Sequence, residues 1–412
     1  MWKPIINEHN ELVYISEKLD NIYLALTKKI NTINRFYLYS GKAGACLFLV
    51  YYQAMKKQRQ NDIQDIVETI IEDTVQYRIK NLQDITLYAE TAWFLCHLYE
   101  RRLIDIDVDE YFSAIDKSLY EGMIMLLNKN EYGFFNGAIS IGLYFYNSYL
   151  LGNENCKKYL EHFVDLLYNT RIEKDNTIGW TDIINYETNE RGYNLGIAHG
   201  IPGVLLFLKK LYHANIKRDI VAELIIKASN FLLLQKHSLK THKSFFHNTY
   251  SEFSSGSDTR LGWCYGDLSV GYALLAVSSL NGIERKDVKE NALDILINTT
   301  GRTNVRDSRT IDAGLCHGAA GIAHIYNRLY HQTSEPEFRN AAMYWYKETI
   351  KMAKYDSEYA GFRFPHSLEE PERDFLEMYN LSFLAGISGV GLSLLSAVYP
   401  IEPSWDMCLL LS

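Results

Sequence analysis

The chain has 412 residues, 47% of them apolar, enough for a large core and unlike a small disulfide scaffold. With 42 basic against 50 acidic residues, the net charge of -8 argues against nucleic acid as a partner, which calls for a basic face. Only 7 prolines are present and no Pro/Gly/Ser-rich linker separates blocks, so one domain over residues 1–412 is expected. The first residues, Met1-Trp2-Lys3-Pro4, lack the apolar core of a signal peptide. No uncharged apolar run approaches the ~20 residues of a membrane span. A cytoplasmic protein without an integral membrane segment is the expectation.

A repeat organises the chain. A Gly-x-x-small frame followed by an apolar stretch recurs at Gly41–Gly44, Gly137–Ser140, Gly200–Gly203, Gly266–Ser269, Gly318–Gly321 and Gly386–Gly389. A worn copy, Ala89-Glu-Thr-Ala92, fills the gap after the first. The seven starts are spaced by 48, 48, 63, 66, 52 and 68 residues. Each is followed by an inner-helix candidate that is apolar nearly all round, such as Leu-Phe-Leu-Val-Tyr-Tyr after Gly44. Between them lie amphipathic stretches, such as 62–80, with Ile63, Ile66, Val67, Ile70, Ile71 and Val75 at helical spacing. Seven pairs of a buried and a half-wet helix predict an all-α fold, an α/α toroid of helical hairpins, with an open solenoid as the competing arrangement. The extra length at 236–258 predicts short strands or a flap outside the barrel.

The six cysteines, at 46, 96, 156, 264, 316 and 408, are widely scattered, which predicts reduced thiols. Cys46 and Cys96 fall in apolar runs and are expected to be buried small hydrophobes; Cys156 sits in a polar stretch with no evident role. Cys264 and Cys316 both stand two residues before the frame glycine, in consecutive copies. His317 and His199 both stand one residue before it. Adjacent residues on one helix diverge by about 100°, so Cys316 and His317 can face one ion only where the backbone turns, and Gly318 supplies that turn. Thiolates with imidazole select zinc over hard cations. His199 is either a fourth ligand or a free acid/base beside an open site. Arg260, six residues before Gly266, is either an anion stabiliser or a solvated surface residue.

The matching text includes Asn194-Leu-Gly-Ile-Ala-His199-Gly, Gly262-Trp-Cys264-Tyr-Gly266-Asp267, Leu315-Cys316-His317-Gly318 and Phe383-Leu-Ala-Gly-Ile-Ser-Gly-Val. With the terminal Ser404-Trp405 segment, these strings resemble the lanthionine synthetase C-like (LanC) cyclases from about residue 35 to the end. The resemblance implies a seven-fold α/α toroid with one Zn2+ held by Cys264, Cys316 and His317. It places an acid/base role on His199 and a functional Arg at Arg260. It also implies addition of a peptide Cys thiol to dehydroalanine or dehydrobutyrine, closing thioether rings in a dehydrated, Cys-containing precursor peptide. A dehydratase and an exporter are the pathway partners it suggests, with peripheral membrane association through them. Two alternatives stay open: a zinc-containing peptide-binding scaffold, and glutathione-type thiol addition to dehydroamino residues. One position departs from the family pattern. Gly133 stands where many members carry an Asp, leaving Glu131 or Asn136 as candidate substitutes.

Overall fold

The computed structural model describes residues 2–57, 61–104, 109–185, 187–251, 256–365 and 377–412. They form two compact units: Met1–Arg78 with His97–Asp107 and Thr303–Ser412, and Ile79–Cys96 with Val108–Arg302.

In the first unit the inner helices are Lys42–Lys56, Ala319–Thr333 and Ile387–Val398. They are buried nearly all round, as their unbroken apolar text requires. Lys42–Lys56 and Ala319–Thr333 each pack on the amphipathic helix that follows, Asn61–Gln76 and Pro336–Met352. Among the described residues the last inner helix is followed by a 3-10 turn in place of an outer α-helix. Its outer partner is His9–Lys29 from the other end of the chain, which turns Ile15, Leu19, Ile22 and Leu26 inward, and it also packs on Lys42–Lys56. Last and first copies are thereby neighbours. The C-terminal 3-10 turn Ser404–Leu409 is fastened by Asp406, fully buried, with one carboxylate oxygen 2.7 Å from both His324 Nε2 and Arg328 Nε.

In the second unit the inner helices Ala138–Leu150, Ile201–His213 and Asp267–Ser278 pack on the outer helices Asn155–Asn169, Arg218–Leu234 and Lys286–Thr299. Asp109–Asn128 packs on Ala138–Leu150, and the helix Asp84–Glu100 begins in this unit. Two small antiparallel sheets occupy the long inter-helix segments. One pairs Ile172–Lys174 with Thr177–Gly179; the other runs Asp182–Asn185, Glu190–Asn194, Thr249–Tyr250. The strand at 249–250 and a bridge between His247 and Asp258 lie in the segment where a flap was expected. The strands at 172–194 were not anticipated.

Two further details correct the sequence reading. The helix of the worn copy starts at Asp84, so Ala89–Ala92 lies inside it rather than ahead of it. On Asn61–Gln76 the buried stripe is Ile63, Val67, Ile70 and Thr74, while Val75 is 70% exposed. Among the described residues no helix is long and apolar enough to cross a membrane.

Candidate functional site

The frame glycine is the N-cap in all six intact copies, with no side-chain cap at any of them. The orphan N–H groups of the first turn are met by main chain that doubles back. The residue after the glycine donates to the carbonyl six before it, Lys42 to Arg35 (2.6 Å), Ala138 to Glu131 (2.9 Å) and Ala319 to Asp312 (2.9 Å). A Cβ on Gly200 would stand 2.0 Å from the Asn194 carbonyl oxygen, so only glycine lets the chain return this closely. Gly266 adds a φ of +101°, outside the range L residues adopt readily.

These turns are laced to one another at a single offset. Within each unit, the amide two residues before one frame glycine donates to the carbonyl two residues before the next. In the second unit Phe135 donates to Ala198 (2.7 Å) and Ala198 to Cys264 (3.4 Å); in the first, Cys316 donates to Leu384 (3.0 Å) and Leu384 to Tyr39 (3.1 Å). The copies are therefore structurally equivalent where the chemistry-bearing side chains stand, and their positions are fixed by backbone.

In the second unit His199 and Cys264 come together with the Phe135 loop. The half-buried His199 ring lies edge-on to Phe135, with centroids 5.9 Å apart. Burial pushes the His199 pKa below the usual histidine range, opposed by Cys264 and by the hydrogen bond of the ring to the Phe135 main chain. A neutral imidazole with one N–H pinned leaves its other nitrogen as an acceptor. Gly133 packs on the same histidine: a Cβ there would lie 3.1 Å from His199 Cα and 3.2 Å from its carbonyl oxygen. Glu131 is engaged by Gln83 Nε2 at 2.8 Å, and Asn136 is exposed in a left-handed turn with φ +59°. Arg260 is half-buried, its carbonyl oxygen against Gly266, and its guanidinium has no hydrogen-bond or ion-pair partner among the described residues.

Asp267, quoted in the Gly-Trp-Cys-Tyr-Gly-Asp string without a role, is an anchor. It is 1% exposed, and its two carboxylate oxygens accept the amides of Phe245 (3.0 Å) and Phe246 (2.9 Å). Arg302 stands 3.5 Å away and donates to the Thr259 carbonyl at 2.5 Å. The helix that follows Cys264 thus holds the flap segment at Phe245 and Phe246, and Arg302 holds the main chain at Thr259.

In the first unit the amides of Leu315 and Cys316 both donate to the Leu384 carbonyl, at 2.8 and 3.0 Å, which fixes the Cys316-His317 turn. Cys264 and Cys316 are half-buried, whereas Cys46, Cys96, Cys156 and Cys408 are buried, Cys156 on the inward face of its helix despite its polar neighbours. Asp312 is a site residue not anticipated from the sequence. It is 5% exposed, accepts the Gly314 amide through Oδ1 at 2.6 Å, and holds Oδ2 3.8 Å from His317 Nε2. Its signal was available: Asp312-x-Gly314 repeats Asn194-x-Gly196, where Asn194 Oδ1 accepts the Gly196 amide at 3.1 Å.

The donor set of Cys264, Cys316 and His317, two part-exposed thiols and an imidazole with a carboxylate beside it, fits zinc by its chemistry. No curated protein sequence matches the chain. Among solved structures, a nisin cyclase aligns with a TM-score of 0.74 at 17% identity, covering 96% of this chain and 97% of that one. That likeness shows the fold, the α/α toroid anticipated from the repeats. The sequence profile of the lanthionine synthetase C-like proteins matches residues 32–410, and the chain belongs to that family.

Proposed function

We propose that this protein is a zinc-dependent lanthionine cyclase, adding Cys thiols of a dehydrated precursor peptide to dehydroalanine or dehydrobutyrine. One observation carries the reading: two half-buried thiols occupy the same offset in copies five and six, next to His317, while the other four cysteines are buried. Cys264, Cys316 and His317 would hold the ion, with the Asp312 carboxylate 3.8 Å from His317 Nε2 as the neighbour able to orient the ring. When bound, zinc lowers the pKa of a thiol or water in its open position. His199 handles the proton. Its unpinned nitrogen accepts the proton of the substrate thiol and returns it to the substrate Cα after the C–S bond has formed at Cβ. The proton count closes within the site. The Phe135 carbonyl sets the imidazole tautomer, a task the family's Asp would otherwise serve at position 133. Arg260 would stabilise the enolate oxygen.

On this reading the protein works in the cytoplasm, and a dehydratase and a membrane exporter share its pathway. A single domain over 1–412 is in keeping with one family profile running through both compact units. The test is free-thiol counting on a dehydrated, Cys-containing peptide with wild-type protein and His199→Gln. Wild type should consume thiols, and the variant should be slower by about 10²–10⁴-fold with unchanged zinc content. No thiol loss above the buffer control overturns the proposal.

A further inference from the structure

A second group of metal-competent side chains lies apart from the cysteines, in the segment between the helix Arg218–Leu234 and the Cys264 turn. His242 Nδ1 and His247 Nε2 are 3.4 Å apart. Oδ1 of Asp258 stands 3.8 Å from the first and 3.9 Å from the second. All three donor atoms lie within 4.8 Å of one another. The ring of His237 packs on both, its centroid 4.2 Å from that of His247 and 4.7 Å from that of His242.

Main chain holds this group in place. The His237 amide donates to the Phe245 carbonyl at 2.7 Å, and His247 bridges Asp258 as an antiparallel pair. Ser244 Oγ donates to the Phe246 carbonyl at 2.9 Å, accepts the Thr259 amide at 3.0 Å, and stands 3.4 Å from Asp258 Oδ1. His247 is 4% exposed, while His242 and Asp258 are half-buried, leaving one side open to solvent.

At 3.8 and 3.9 Å the carboxylate is too far from either imidazole for a hydrogen bond. The spacing suits a shared cation better. A tetrahedral ion bound at about 2.0–2.1 Å needs donors about 3.3 Å apart; the imidazole pair already stands at 3.4 Å, and the carboxylate must close by about half an ångström, within the reach of one χ rotation.

We propose that His242, His247 and Asp258 form a second site for a divalent transition metal of the zinc class, with the His237 ring closing one side. Imidazole nitrogens with one carboxylate oxygen select zinc, cobalt or nickel over magnesium or calcium. The ion joins the stretch 237–247 to Asp258. Through Phe245 and Phe246 on Asp267, it also fastens that segment to the helix that begins beside Cys264. The site uses none of the residues of the proposed cyclase centre and stands or falls separately from it.

The test is metal content of the full chain after equilibrium dialysis against zinc. The Cys264→Ser/Cys316→Ser variant should keep one equivalent of zinc, and adding His242→Asn should remove it. Cobalt(II) in the Cys264→Ser/Cys316→Ser variant should give d–d absorption without a thiolate charge-transfer band. Thermal unfolding guards against misfolding: zinc should raise the melting temperature of Cys264→Ser/Cys316→Ser, and His242→Asn should abolish that rise while leaving the metal-free melt near its original position. A cysteine variant that binds no zinc, or one whose residual zinc is indifferent to His242→Asn, overturns the second site. Loss of the thiolate band from wild-type protein with the His242-dependent equivalent intact would instead sink the cyclase centre alone.

Discussion

Asp267→Asn isolates the anchor that joins the flap to the helix after Cys264. The carboxylate accepts two backbone amides, at 3.0 and 2.9 Å, and faces Arg302 at 3.5 Å from a position 1% exposed. An Asn side chain keeps one acceptor and turns an NH2 toward the second amide, so one buried N–H loses its partner, at about 1–3 kcal/mol. Breaking a buried ion pair would add about 3–5 kcal/mol, but here the addition is smaller. Burial outweighs the amides and Arg302 and raises the Asp267 pKa to about 6, so the charged form is only weakly favoured. Arg302 also retains the Thr259 carbonyl. The expected loss is therefore about 2–3 kcal/mol, with the lower term dominant. Hydrogen exchange at neutral pH reads it locally: the Phe245 and Phe246 amides should exchange roughly 30- to 140-fold faster, at about 1.4 kcal/mol per decade. Unchanged protection of both amides would refute the assignment of Asp267 as the anchor.

Three further outcomes follow from the same geometry. His97, fully buried with Tyr51 Oη 2.8 Å from its Nε2, has its pKa depressed to about 3 by burial. Its folded value lies below the unfolded one, so stability is full above about pH 6.5 and falls with acidification toward pH 3, by up to about 4–5 kcal/mol; denaturant midpoints of His97→Gln that track wild type across this range would contradict it. Asp312→Asn should weaken zinc binding about 10–100-fold in chelator competition, and an unchanged affinity would remove Asp312 from the support of His317. Gly133→Asp should slow thiol consumption, by about 10-fold or more, because its Cβ meets His199 Cα at 3.1 Å; a faster variant would show that the Phe135 carbonyl does not replace the family carboxylate.

The repeat was legible because its cause is steric. Where the backbone returns to within 2.0–2.4 Å of a Cβ, as at Gly41, Gly137 and Gly200, only glycine fits, and that leaves a mark in the text. The worn second copy was misplaced because its helix starts at Asp84, five residues ahead of Ala89, with no such return to mark it. Cys264, Cys316, His199 and His317 could be aligned because side-chain chemistry is written directly. The partners of these residues could not. The Phe135 carbonyl on His199 and the amide-to-carbonyl ladder between turns use atoms every residue carries, so no residue type signals them. The strands at 172–194 are too short and too irregular in burial to show alternation. The pairing of His9–Lys29 with the last inner helix joins opposite ends of the chain, and periodicity along the sequence does not report it.

The central claim is that Cys264, Cys316 and His317 share one zinc ion open to a substrate thiol. X-ray absorption at the zinc edge tests it most directly, on the full chain carrying His242→Asn so that only the cysteine centre is read. The account predicts two sulfur neighbours with imidazole nitrogen, and a third sulfur when a Cys-containing peptide is added. A shell of nitrogen and oxygen alone, or a sulfur count that does not change with the peptide, would contradict it.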